Sequence, residues 1–598
     1  MHLAVSTTLG NDNEASVSLW HTKTLSFQGP NTSELATPNP FTDYRLLVTF
    51  RHPEVTYVVR GFYAADGDAA DTGASSGGVW KVRFIPDRIG RWSYSASFKH
   101  GKDLAIRDEM DAGTPIEISN PTGVFIATKN SSPNASRDFR RRGRIIADGA
   151  YLRFGKNGPF WLKGGTDSPE NLLAFADFDG TSRISVEVSE GEATATEELH
   201  RYEPHIRDWN EGDPQWKNGK GKGVIGALNY LSSTGMNCAY FLTLNIGGDG
   251  KDVWPYVSAD EWTRFDCSKL DQWEIVFEHM QRRGILMHVV TQETENERML
   301  DDGNTERLRK LYYRELIARF AHHPAIIWNL GEENGPADFS PNGQTADQQK
   351  AMAGYLKNSD PYKHPVVIHT HASKHGKDEI LPALLGHEPL DGLSFQVNQP
   401  KNVHSEIIRW RNKSDQAGRT WLIGMDEIGP WHTGAVPDSV DPDHDTLRRH
   451  VLWGGLLAGA SGVEWYFGAK FRHNDLTSED WRQRDNLWKQ TSIALTFFEQ
   501  LRFWEMNPDS SIVSSQEIYC FAKPGSTYVL YVPASELKNE NIMVKLEDRD
   551  REYSVQWCDP IHGGKLQRGS VAVVESATSA AIGKPPHTRE QDWVVLIR

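Results

Sequence analysis

Apolar and polar positions fall into three regimes along the chain. Over residues 1–130, short alternating runs such as 44–50 and 56–60 are separated by Pro- and Gly-rich turns. Period-two alternation broken by turns predicts a β-sandwich. Within it, 80–84, a turn through Pro86 to Gly90, and 91–94 read as a hairpin. From 145 to 505 short apolar runs alternate with helical stretches, a pattern that implies a parallel sheet. Eight strands are expected, at 160–163, 237–244, 285–290, 325–331, 364–371, 390–397, 420–427 and 462–467. Helices are expected between them, over 270–283, 306–320, 403–416 and 446–457, and 486–501 closes the ring. Eight βα units predict a (β/α)8 TIM barrel. After 507 short strands return, at 517–522, 527–532, 542–547, 553–557 and 593–597. The predicted class is multidomain α/β: an N-terminal β-sandwich (1–130), a central barrel (145–505) and a C-terminal β-sandwich (507–598).

Two of the barrel strands break into acids at their C-terminal ends. One runs Trp328-Asn329-Leu330-Gly331-Glu332-Glu333-Asn334, the other Met425-Asp426-Glu427-Ile428-Gly429. Barrel enzymes place their chemistry where the strands stop. Two carboxyl groups converging there can flank one glycosidic bond, one protonating the leaving oxygen and the other attacking the anomeric carbon. Further polar residues at strand ends are candidates for a sugar subsite: Asp167, Asn245, His288, Gln292, Glu293, His369, His371 and Gln396. Strand alternation turns His369 and His371 to one side, yet no third ligand at suitable spacing makes them a metal site. No organic cofactor is needed for this chemistry.

Composition narrows the partners. A formal charge of −15 with no long basic stripe argues against nucleic acid. Arg137–Arg144 is the one basic run, read as a domain junction or as a site for an anionic sugar. Four cysteines without C-x-x-C spacing point to neither a disulfide framework nor a zinc site. No 18-residue apolar run spans a membrane, and no charged-then-apolar leader opens the sequence. The 20 tryptophans suit both sandwich cores and sugar stacking. Lys163, Lys470 and Arg472 lie near strand ends, either neutralising an acidic rim or receiving a uronate or sulfate.

The barrel motifs resemble those of the clan A glycoside hydrolases, whose fourth strand ends in Asn-Glu and whose seventh ends in a second Glu. The resemblance implies a retaining mechanism with Glu333 as acid/base and Glu427 as nucleophile. It implies Glu332, or Asn334 or another residue in its stead, at the substrate's 2-hydroxyl and Trp465 as a sugar platform on the eighth strand, while Asp426 is a nearby like charge that would raise the acid's pKa. Glu332 stands where the family has Asn, which leaves either Glu332 or Glu333 as the acid. Asn39-Pro40-Phe41, Gly61-Phe62-Tyr63 and Trp80–Pro86 resemble the sandwich that precedes barrels in poorly characterised bacterial hydrolases. Val555–Pro560 and Gln591–Val594 resemble a module named for collagen binding. The resemblance implies a carbohydrate substrate and a periplasmic or secreted setting. Two other readings stay open: a barrel that binds carbohydrate or matrix without turnover, and an inverting glycosidase. Sugar, linkage and oligomeric state are not specified.

Overall fold

The computed structural model describes residues 16–130, 137–185, 198–338, 340–538, 542–547, 551–576 and 579–598. The opening residues read for a leader lie outside this set.

Eight parallel strands close into a barrel. They are β1 (Lys163–Thr166), β2 (Cys238–Leu242), β3 (Leu286–Val290), β4 (Ile326–Asn329), β5 (Val366–His369), β6 (Gly392–Val397), β7 (Leu422–Ile428) and β8 (Gly462–Trp465). All eight are buried along their whole length, which is why they read as apolar runs rather than alternating ones. Around them lie α1 (Lys222–Ser233), α2 (Cys267–Arg283), α3 (Arg307–Phe320), α4 (Ala346–Ser359), α5 (Lys374–Ile380), α6 (Val403–Gln416), α7 (Gly454–Leu456) and α8 (Asp485–Phe498). A π-helical stretch, Leu447–Trp453, leads into α7.

The first strand lies three residues later than the sequence suggests. Phe160–Trp161 pairs antiparallel with Tyr151–Phe154, outside the barrel wall. The strand proper is Lys-Gly-Gly-Thr, a poor strand former by composition. Its glycines have a steric reason: a Cβ on Gly165 would stand 1.8 Å from the Cys238 carbonyl oxygen, and one on Gly164 2.6 Å from Leu495 in α8.

One end of the barrel is sealed with apolar side chains. Phe139, Leu152, Phe154 and Trp161 pack against Cys238, Leu286, Ile327, Val367 and Leu422, near the beginnings of the strands. The Arg137–Arg144 run belongs to this end. Arg137 donates to the Gly235 carbonyl at 2.9 Å, and the Arg142 guanidinium lies 4.1 Å over the Phe154 ring. The run braces this end, with Arg141 and Arg142 exposed, and supplies no anion site beside the carboxylates.

Two antiparallel sheets precede the barrel. One contains Tyr44–His52, Val55–Arg60, Gly90–His100 and Thr122–Thr128, and the other Lys23–Ser33, Phe62–Tyr63 and Ser76–Phe84. The hairpin read at 80–94 is therefore a crossing between sheets, since Ser76–Phe84 and Gly90–His100 belong to different ones. The inner faces meet through stacked rings, Phe50 on Phe84 at 4.0 Å. After the barrel, Tyr519–Lys523, Thr527–Val532, Glu552–Cys558 and Trp593–Ile597 form the centre of a six-stranded sheet with its own core. The chain is a TIM barrel flanked by two β-sandwiches. All four cysteines are buried and unpaired. Among the described residues, no helix is long and apolar enough to cross a membrane.

Candidate active site

Glu427 reaches the barrel interior because β7 carries an extra residue. Phe395 pairs with Met425 and Gln396 with Glu427, so Asp426 is a bulge. Simple alternation would send Gly424 and Asp426 inward and Met425 and Glu427 outward. Met425 does pack outward, since its sulfur occupies the place a Cβ on Gly455 would take in α7. The bulge then returns Glu427 to the inner face beside Asp426, a use of bulges common near active sites.

Below the carboxylates lies a buried ionic layer. Lys163 Nζ stands 2.5 Å from Asp426 and 2.6 Å from Glu464, and His288 Nδ1 is 2.8 Å from Glu464. The other His288 nitrogen meets Asn329 Nδ2 at 3.1 Å. Burial, helped by the Lys163 charge, takes His288 down to about 3. A neutral ring carrying its proton on Nδ1 leaves Nε2 to accept from the amide. That orientation turns Asn329 Oδ1 toward the backbone N–H groups of Gly331 (3.3 Å) and His369 (3.1 Å). The layer thus fixes the turn after β4 and the end of β5 together. Glu333 sits in that turn at a φ of 36°, a conformation rare for a side chain of this size.

Above the layer, carboxyl groups crowd together. The Gln396 amide acts on both Glu333 and Glu427, lowering each, and the Glu333 charge bears directly on Glu427. Burial pushes Glu333 up to about 7 against the pull of Gln396. Burial and then Glu333 raise Glu427 well above the usual carboxylate range. His369 Nε2 is 3.4 Å from Glu427, and its Nδ1 is 3.2 Å from the Tyr240 hydroxyl. Burial keeps His369 neutral. Asp167, 3% exposed, feels Asp475 and Glu427 and is likewise raised, first by burial. Lys377, whose ammonium donates to the carbonyls of His371, Ala372 and Gln396, is the lysine acting on Glu333.

The sequence candidates separate into two groups. Asp167, Glu293, Glu332, Glu333, His369, Gln396 and Glu427 share this pocket. His371 sits beside it, with Nε2 3.1 Å from the Gly335 carbonyl oxygen. The others are consumed by the scaffold. His288 and Asp426 belong to the ionic layer. Gln292 donates to Gln344, as Asn334 does, at 2.7 and 2.9 Å, and Asn245 accepts from the Lys251 N–H at 2.6 Å. Trp465 is the plainest correction: it is 1% exposed, and its indole N–H donates to Thr491 in α8. Glu464 faces inward, so alternation turns Trp465 out. The aromatic groups on the pocket side are Tyr240 and Tyr466, both raised by burial and by charges that include Glu427. Tyr466 donates to the carbonyl of Trp431, a tryptophan 51% exposed in the loop after β7.

Sequence reasoning missed Glu170 and Asp475. Glu170 stands four residues past β1, whose misplacement hid it. Asp475 lies in the loop after β8, where no strand end marks it; its partner Ser168 comes from the loop after β1.

Known proteins place this architecture. The profile of a domain of unknown function, DUF5060, matches residues 16–99. Among curated proteins, no sequence matches this chain. A candidate glycoside hydrolase from Bacteroides vulgatus is similar over 98% of this chain and 99% of its own, with 14% identity and a TM-score of 0.60. A family 5 glycoside hydrolase from the same organism is similar over 78% of this chain and 95% of its own, with 15% identity and a TM-score of 0.51. Identity this low establishes a shared fold. The first of these relatives extends that likeness across the entire sandwich–barrel–sandwich order.

Proposed function

We propose that this protein is a retaining glycoside hydrolase in which Glu427 is the nucleophile and Glu333 the acid/base. The observation that carries the reading is that the β4 and β7 glutamates act on each other, with Glu427 in register with Gln396 of β6, at the open end of a barrel whose other end is sealed. The two carboxyls interact, and the reactive form is the one in which Glu333 keeps a proton for the leaving oxygen while Glu427 is ionised. A Glu427 oxygen forms a bond to the anomeric carbon as the glycosidic bond breaks, and the leaving oxygen takes the Glu333 proton. Glu333 then removes a proton from water, which attacks the same carbon and frees Glu427. The relatives' names agree with this chemistry. The acidic lining favours a neutral glycan, since Lys163 is neutralised beneath the floor by Asp426 and Glu464.

A second assignment has its own support, because Glu332 offers an oxygen within 4.8 Å of one on Glu427, inside the spacing of retaining pairs. A panel of neutral glycans and activated aryl glycosides separates the two. Glu427→Gln is expected to lose turnover on all of them, with azide giving an inverted glycosyl azide in Glu427→Ala. Glu333→Gln is expected to keep the first step on activated substrates, with azide accelerating release of a retained product. That behaviour in Glu332→Gln instead moves the acid to Glu332, and a water-derived inverted product from wild type defeats the retaining mechanism.

A further inference from the structure

Three buried carboxylates converge on one small space without a basic residue among their leading electrostatic influences. Glu170 comes from the loop after β1, Glu293 from the loop after β3 and Glu332 from the turn after β4. One oxygen of each lies within 4.8 Å of the other two. Glu170 is 4% exposed and Glu293 6%. Glu293 Oε2 and Glu332 Oε2 are buried and accept no hydrogen bond. The groups acting on Glu170 and Glu293 are themselves acidic, Asp475, Asp249 and Glu295 among them. His369 Nε2 is buried without a hydrogen-bond partner, and one ring nitrogen of His369 lies within 4.8 Å of an oxygen on the same Glu332. The trio thus carries two buried oxygens without partners, with a neutral nitrogen near Glu332.

We propose that Glu170, Glu293 and Glu332 form the seat of one hard divalent cation of calcium size. Carboxylate oxygens are ligands for such ions, and calcium holds them at about 2.3–2.6 Å, so ligands on opposite sides stand roughly 5 Å apart. Three oxygens mutually within 4.8 Å can share one such ion. Magnesium, at about 2.0–2.1 Å, draws opposite ligands to about 4.2 Å and asks for a stricter octahedron. Three carboxylates and one dication leave a single negative charge. Bound there, the ion holds Glu332 ionised and in place. Its coordination shell has room for hydroxyls of a sugar, a role that rests on the glycosidase reading, whereas binding of the ion does not.

The test is a calorimetric titration of the full-length, chelator-treated protein with calcium, magnesium and manganese chlorides, without any glycan. One calcium per chain is expected, with Kd below about 1 mM, and the melting midpoint should rise in saturating ion. Glu170→Gln and Glu293→Gln, checked for fold by circular dichroism, should each bind at least about tenfold more weakly. Glu427→Gln, outside the trio, should bind like wild type. Absence of heat and of a midpoint shift up to about 10 mM of all three ions overturns the site. Undiminished binding by the folded Glu170→Gln/Glu293→Gln double variant also overturns it. Hydrolysis by a protein that binds no ion removes the cation and leaves the proposed activity standing.

Discussion

Replacing Glu427 by glutamine is expected to stop turnover and, as pH rises, to stabilise the protein. Glu427 is 6% exposed, with a carboxylate oxygen within 4.8 Å of one on Glu332 and with Glu333 acting on it as well. Two full charges 4.8 Å apart repel by ~3.5 kcal/mol at an effective dielectric of about 20. That is a ceiling, because the cluster lowers its repulsion by retaining protons. Burial, then Glu333, raise the folded pKa of Glu427 above its ordinary 4.5. Its contribution to stability is therefore fully present below 4.5 and is lost as pH rises through the raised value. Wild type carries that loss at alkaline pH and the glutamine variant does not. Thermal melts of both proteins across about pH 5 to 8.5 should give nearly equal apparent midpoints at the acid end. At the alkaline end the variant should melt a few degrees higher. A glutamine variant that melts below wild type at about pH 8, or a difference independent of pH, would refute the claim that this side chain stands in a repulsive field.

Two further outcomes follow from the same geometry. Lys163→Met leaves Asp426 and Glu464 facing each other without their cation, so it should lower stability by about 3–5 kcal/mol in denaturant melts; a loss below about 1 kcal/mol would show that the layer is not held by charge. Because the Gln396 amide lowers the Glu333 carboxyl, which burial holds at about 7, kcat/KM of wild type should fall as pH rises through that value. In Gln396→Ala the fall should move to higher pH, and an unmoved limb would detach Glu333 from the acid role.

Much of this arrangement is legible in the chain, and the illegible parts have a common cause. β4 and β7 announce themselves because Ile326-Ile327-Trp328 and Leu422-Ile423 are apolar runs that end in acids and glycine. Strands of ordinary composition can be read in this way. β1 cannot, since Gly164 and Gly165 answer to the approach of Leu495 and Cys238, partners far away in sequence. The same holds for side-chain direction. Trp465 and Glu464 differ only in which face they take, and alternation cannot assign that face until the strand's register is known. Asp426 and Glu427 are harder still: a bulge defined by pairing with β6 sends both inward, and pairing is not written in β7 itself. His288, Gln292, Asn334 and Asn245 have the residue types of a sugar site, yet each is occupied by the scaffold that positions one.

The N-terminal sandwich bears on the pocket through the helices behind it. Arg83 reaches from the sandwich to Asp271 and Glu274 in α2, both at 3.3 Å. Arg319 in α3 pairs with Glu315 at 2.7 Å and donates to the Tyr63 carbonyl at 2.8 Å. Both guanidinium groups lie over the Phe62 ring, at 4.9 and 4.4 Å. Glu34 accepts from the Cys267 N–H at the start of α2. α2 leads into β3 and α3 into β4, the strands that deliver Glu293 and the Glu332–Glu333 turn. Like charges at those strand ends push them apart. The opposing force comes from outside, where the sandwich ties α2 and α3 to one ring and one carbonyl. Such ties resist splaying of β3 from β4 without adding a basic side chain to the pocket, where it would pair with the carboxylates and cancel the raised pKa that Glu333 requires. The sandwich is in this sense part of the site's electrostatics, although none of its charges faces the pocket.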